Sequence, residues 1–218
     1  MRRYHSHDLE MGGHETIDHH AKRYLAIVDL ESYPSFIGAK ADHLDVLTHM
    51  TRETEALHAV MWETPGATLK LKFLLTESAQ ISNDLLRTHR LVFDGCVRTL
   101  NGQLCLTDDE ELLAAARRKD GDLLHGKAAS EARSPHVLQV PPGVISVGVF
   151  CERSNGHSSP ELRRARADYT VLMRRYPFPP PRVAPVRLTG GLIPWAGEEA
   201  ASKPWGGRLV EVENHRRY

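Results

Sequence analysis

The chain has 218 residues, 41% of them hydrophobic, which is long enough to bury an apolar core without metal or disulfide staples. Its 28 lysines and arginines balance 28 aspartates and glutamates, so no net charge draws the whole molecule to a polyanion or an acidic membrane surface. No stretch approaches the ~20 apolar residues of a membrane-spanning helix, and three cysteines without paired spacing argue against a secreted disulfide framework, so the expected setting is cytoplasmic.

Residues 1–21 carry histidines, Gly12-Gly13 and charged side chains before any apolar periodicity begins, and they read as a polar tail. The first strand is expected at Lys22 to Asp29. Leu44, Leu47 and Met50 recur at three-residue spacing and predict a short amphipathic helix over Ala41 to Thr51. Leu57 to Trp62 and Thr68 to Leu75 flank Glu63-Thr64-Pro65-Gly66, whose proline and glycine suit a type II turn between antiparallel strands.

Asn101-Gly102 lies between the alternating runs around Val97 and Leu106 and predicts a two-residue hairpin with a type I′ turn. That register sets Arg98 opposite Cys105 and leaves Cys96 and Cys105 diagonal, roughly 7 Å or more apart and too far to bridge. Thr107-Asp108-Asp109-Glu110 has the form of a capping box, with acids opening a helix over Asp108 to Lys119, Arg117, Arg118 and Lys119 closing it, and Gly121 as its cap. Pro141-Pro142-Gly143 turns into the most apolar strand, Val144 to Cys151, which should be central. Ser159-Pro160-Glu161 starts a short helix through Ala167, Asp168 to Arg175 returns as a strand, and the proline-rich run from Tyr176 to Pro185 should be extended. One further strand is expected at Arg208 to Val212.

These elements predict an α+β fold, predominantly antiparallel β, of sandwich-like hairpins with two or three short helices and an irregular Pro/Trp-rich C-terminal segment. The expected division is a tail at 1–21, a core at 22–176 and an extended segment at 177–218 packed on it.

Chemical motifs fail one after another. His14-Glu15 is followed by Asp18 where the zinc-protease pattern requires histidine. Gly121 to Lys127 satisfies G-x-x-x-x-G-K, but Ala128 replaces the magnesium-binding hydroxyl and no strand precedes it. Gly156-His157-Ser158 lacks the second glycine of a nucleophile elbow. His5, His7, His14, His19 and His20 lie near Asp8, Glu15 and Asp18, and in an extended chain His5 and His7 share a face; with His14 they form a weak candidate metal set in a tail with no defined ligand spacing, so no cofactor is expected. Between Arg153 and Arg187 stand eight arginines against Glu161 and Asp168. Arg163, Arg166, Arg174 and Arg175, with Trp195 and Trp205 in glycine- and proline-flanked segments, have the composition of a protein-binding surface. The low aromatic content, 6%, and zero net charge disfavour nucleic acid as the partner.

The resulting expectation is a non-catalytic accessory or immunity-type protein that acts through contacts with an acidic protein partner. The alternatives are a small metal-dependent or thiol hydrolase whose site assembles from distant His, Cys and Asp residues, and a structural protein that builds oligomers.

Overall fold

A computed structural model describes residues 4–65, 67–77, 83–120, 123–125, 135–152 and 168–176. Its elements are β1 (His5–Asp8), β2 (His14–Ala21), β3 (Tyr24–Asp29), α1 (His43–Glu55), β4 (Ala59–Glu63), β5 (Ala67–Thr76), α2 (Asn83–Thr88), β6 (His89–Thr99), β7 (Gln103–Asp108), α3 (Asp109–Ala116), β8 (His136–Gln139), β9 (Gly143–Glu152) and β10 (Tyr169–Tyr176). They form two five-stranded sheets, ordered β1-β8-β7-β3-β4 and β2-β5-β10-β9-β6. Among the described strands only β1 with β8 and β5 with β10 run parallel, and the other pairings are antiparallel. The class is α+β, mostly antiparallel β.

Period-two alternation sorts the side chains into two cores. Leu25 and Ile27 of β3, Leu104 and Leu106 of β7 and Leu138 of β8 pack across the sandwich against Ile17 of β2, Leu69, Leu71 and Phe73 of β5, Val147 and Val149 of β9, and Val171 and Met173 of β10. The opposite face of the first sheet, through Ala26, Val28, Met61 and Cys105, takes Val46 and Met50 of α1 and Leu112 and Ala115 of α3. As its apolar run predicts, β9 is central, between β10 and β6. Helix α1 starts from an Asp42 cap in a reciprocal pair, the Asp42 carboxylate accepting from the Asp45 N–H and the Asp45 carboxylate from the Asp42 N–H. Its buried face is Val46, Met50 and Glu53, while Leu44, expected inside, is 70% exposed.

Both expected hairpins are crossings between sheets. The strand before Asn101-Gly102, β6, pairs with β9, setting Arg98 opposite Val144, whereas β7 pairs with β3 and β8 and sets Cys105 opposite Val28 and Val137. A tight turn fixes chain reversal but does not fix which strand receives the next one. Gly102 has φ +81°, whereas Leu57 is the one non-glycine residue with positive φ among the described residues, so the two positive φ values of a type I′ turn are not present. Instead the Asn101 side-chain oxygen accepts from the Gln103 N–H at 3.0 Å, and the Thr99 hydroxyl from the Gly102 N–H at 3.0 Å. In the same way β4 joins β3 while β5 joins β2 and β10. The cap of α3 is Asp108, one residue after the expected Thr107.

Residues 1–21, read as a tail, contain one edge strand of each sheet, with Leu9, Ile17 and Ala21 buried. Polar side chains fill most of their inward positions, which hides the alternation that would mark a strand. The expected helix at Ser159 to Ala167, the segment 177–185, the strand at Arg208 to Val212 and the Gly121 cap lie outside the described residues. No helix among the described residues is long and apolar enough to cross a membrane.

Candidate metal centre

Alternation carries a polar group into one end of the space between the sheets. In β2 the inward parity runs Ile17, His19, Ala21; in β7 it runs Leu104, Leu106, Asp108; in β8 it runs His136, Leu138. In β1 it gives His5 and His7, the parity of the buried Leu9. The ladders bring these positions together, since His136 pairs with both His5 and Leu106, and Asp108 lies two residues beyond Leu106 on the same face. Apolar packing thus gives way to His19, His136 and Asp108 at the end of the sandwich where β1, β8 and β7 stand over β2.

One ligand atom each from His19, Asp108 and Glu111 lie within 4.8 Å of one another. His19 is 2% exposed, and neither of its ring nitrogens meets a protein hydrogen-bond partner. A buried polar atom left so costs about 1–3 kcal/mol, which coordination to a cation would offset. Burial, with a smaller contribution from His20, pushes the His19 pKa down to about 4, so the ring is neutral at pH 7 and carries the lone pair a metal needs. Asp108 caps α3 through a single oxygen, Oδ1, which accepts from the Glu110 and Glu111 N–H groups at 2.9 and 2.8 Å. Burial pushes its carboxyl up, against the downward pull of those two bonds, and a bound cation would reverse the burial penalty. Glu111 in the first turn of α3 is oriented by the Thr107 hydroxyl, which donates to Oε2 at 2.9 Å.

A second group adjoins the first. The His7 Nδ1–H donates to Glu15 Oε1 at 3.0 Å, and His7 Nε2 lies 2.9 Å from His136 Nδ1. His5 stacks on His136 with ring centroids 5.2 Å apart, and His19 meets His136 edge to face at 5.6 Å. Burial, then the neighbouring histidines His19, His7 and His5, push the His136 pKa down to about 3. Borderline nitrogen donors beside two carboxylates suit Zn²⁺, Co²⁺ or Ni²⁺ better than Ca²⁺ or Mg²⁺, which favour all-oxygen shells.

The two shifted histidines set the direction of a pH effect. Unfolded imidazoles take up protons below about pH 6.5, whereas the folded rings do so only near 4 and 3, so the unfolded chain holds more protons in between. Stability of the metal-free protein should therefore fall on acidification from pH 7 to pH 5, by about 2 kcal/mol for each ring. Urea denaturation at the two pH values reads this directly, and an unchanged midpoint would mean that the rings are not buried in neutral form.

Of the histidines singled out in the sequence, His5, His7 and His19 belong to this cluster and His14 does not, since it stands exposed at the start of β2. Arg174 and Arg175 lie near the end of β10, opposite Ser146 and Ile145, with Arg175 ion-paired to Glu77 at 3.9 Å. Arg163, Arg166, Trp195 and Trp205 lie outside the described residues. Sequence reading missed His136, Asp108 and Glu111 as site residues. Asp108 and Glu111 are fully accounted for as helix-opening acids, and nothing near His136 in the chain marks it.

Two other groups are less suited to chemistry. His58 donates to Glu53 at 2.7 Å and His49 to the Pro34 carbonyl at 2.7 Å, a network that satisfies its own members. Cys96, Cys105 and Cys151 take part in no disulfide bond. Burial pushes Cys96 up to about 12 and raises Cys151 as well, so neither is a thiolate near neutral pH.

The fold and site together define a two-sheet β-sandwich with a histidine–carboxylate centre at one end of its inter-sheet layer. No protein-family model matches the chain, and no curated protein does. Among solved structures it is similar to one described as "Crocagin biosynthetic gene J", at 18% identity and a TM-score of 0.45, over 75% of this chain and 98% of that one. A likeness at that level carries no functional argument.

Proposed function

We propose that this is a metal-dependent protein that holds a divalent transition-metal ion through His19, Asp108 and Glu111 and uses it for hydrolysis. The observation that carries the reading is His19, a neutral, buried imidazole whose two nitrogens lack protein partners and which sits within ligand distance of two carboxylates. Three protein ligands leave a coordination position open, the pattern of catalytic rather than structural sites. When bound, such an ion supplies Lewis acidity and lowers the pKa of a coordinated water toward about 7. The chain's part is to fix the ligands, by the β2 ladder for His19, the α3 N-terminus for Asp108 and the Thr107 hydroxyl for Glu111. The expectation of a non-catalytic accessory protein draws, among the described residues, on Arg174 and Arg175 alone, whereas the metal reading starts from a buried group that needs a partner.

Calorimetric titration of Zn²⁺ into untagged, metal-free protein tests this. Wild type should bind stoichiometrically, and His19→Ala and Glu111→Gln should each weaken the site at least about a hundredfold, beyond the 10–100-fold typical of an outer-shell partner. Zinc-loaded wild type should hydrolyse a p-nitrophenyl ester or phosphodiester faster than zinc-loaded His19→Ala. Wild type that binds no zinc, or a folded His19→Ala that binds it equally well, would overturn the reading.

A further inference from the structure

Glu15, His7 and His136, from β2, β1 and β8, form an unbranched series of hydrogen bonds. The His7 Nδ1–H donates to Glu15 Oε1 at 3.0 Å, and His7 Nε2 stands 2.9 Å from His136 Nδ1. Because the centroids of the two rings are 5.1 Å apart, those nitrogens lie close to the line between the ring centres and meet head to head. Only one proton fits between them, so the series has a direction.

Glu15 sets that direction. A carboxylate accepts and never donates, so a neutral His7 keeps its proton on Nδ1 and offers a lone pair at Nε2. His136 then carries its own proton on Nδ1, the nitrogen that faces this lone pair, and its Nε2 is left bare on the side of the ring away from His7. Burial and the surrounding histidines keep the His136 ring neutral at pH 7, so the choice between tautomers is the one left to it. The ring stands on the inward parity of β8, 9% exposed, and meets His19 edge to face at 5.6 Å. His5 stacks on a face of the ring, and among the described residues none is hydrogen-bonded to Nε2.

We infer that Glu15 and His7 are positioning residues that hold His136 in its Nδ1–H tautomer, so that His136 Nε2 accepts from the O–H of the water activated at the His19–Asp108–Glu111 centre. This rests on that centre holding an ion. No proton is gained or lost along the series; the carboxylate selects between two neutral arrangements of equal charge. An acceptor at this point fixes how the water is turned, which bears on turnover and not on how tightly the ion is held.

Glu15→Gln is the informative substitution. The Glu15 side chain is 40% exposed and the amide has the same shape, so the variant should fold. An amide donates as well as accepts, however, and it makes the reversed series available, with the proton of each ring on Nε2. Two-bond ¹H–¹⁵N correlation spectra of histidine-labelled, untagged, metal-free protein at about pH 8, above the ordinary imidazole range, report which nitrogen of each ring is protonated. Wild type should show His7 and His136 both protonated on Nδ1, and Glu15→Gln should lose that pattern at both rings together. Glu15→Gln should bind Zn²⁺ as tightly as wild type, yet hydrolyse the p-nitrophenyl ester with a kcat about 10–100-fold lower, the range typical of outer-shell partners. A wild-type His136 protonated on Nε2, or a pattern unchanged by Glu15→Gln, would overturn the positioning role. The expected tautomers with zinc bound and an unchanged kcat in Glu15→Gln would overturn the acceptor role of His136. Wild type that binds no zinc would remove the metal reading and the acceptor role with it, and this failure is distinct because it appears without any substitution.

Discussion

A chain lacking residues 1–21 is expected to show no cooperative thermal transition near that of the full protein. The segment forms β1 and β2, and β2 pairs with β5 over eight residue positions from His14 to Ala21. Leu9 is 6% and Ile17 2% exposed, and each such side chain contributes about 1.5–3 kcal/mol on burial. Loss of both strands also opens the inward faces of Leu69, Leu71 and Leu138 to water. Against a typical total of 5–15 kcal/mol, these losses alone consume much of the margin. Scanning calorimetry of the full and shortened chains makes the comparison, and a shortened chain that melts within about 2 °C of the full one would return the segment to the status of a tail.

Gly102→Ala should be the most damaging small substitution in the structure. Gly102 has φ +81°, and a Cβ placed on it would stand 2.2 Å from the Val140 carbonyl oxygen. That neighbour is backbone, held close because the Gly102 carbonyl accepts from the Val140 N–H at 2.8 Å, so no flexible side chain can yield. The left-handed conformation costs alanine about 1–2 kcal/mol, and overpacking adds about 1–3. A loss of about 3 kcal/mol or more follows, roughly 10 °C for a protein of this size. Asn101→Ala, one residue earlier, removes only the side-chain bond to the Gln103 N–H and should cost about 0.5–1.5 kcal/mol. Denaturant midpoints for the pair give the contrast. If Gly102→Ala unfolds within about 0.5 kcal/mol of wild type, the crossing between β6 and β7 has been placed incorrectly.

That crossing shows where sequence reasoning succeeds and where it stops. The strands on either side of Asn101-Gly102 and of Pro65 are legible because apolar alternation is local, and β9 and β10 follow from the same signal. Partner choice is not local. A turn that would close a hairpin also serves to carry the chain from one sheet to the other when each strand finds its pairs elsewhere, as β6 does with β9 and β4 with β3. The Asp108 cap was displaced by one residue because Thr107 and Asp108 can both cap, and burial of the Thr107 hydroxyl against Glu111 decides between them.

The site was hidden for the reason that the first two strands were. Inward positions of a sandwich strand are recognised by being apolar, and His7, His19 and Asp108 occupy inward positions as polar residues, with the exposed His5 on the same parity as His7. Their presence removes the alternation and so makes a strand read as a tail. His5 and His7 were legible as a pair on one face, but their partner His136 is 129 residues from His7 and enters only through the parallel β1–β8 ladder. His14, which shares their composition, faces outward and takes no part.

X-ray absorption at the zinc edge of the zinc-loaded, untagged protein tests the central claim most directly, because it reports which atoms hold the metal. The account predicts a shell of nitrogen and oxygen at about 2.0–2.2 Å with imidazole outer-shell scattering, lost in proportion to the histidines removed, and no sulfur near 2.3 Å. A sulfur shell, or zinc surrounded by oxygen alone with no imidazole contribution, would contradict a histidine–carboxylate centre between the sheets.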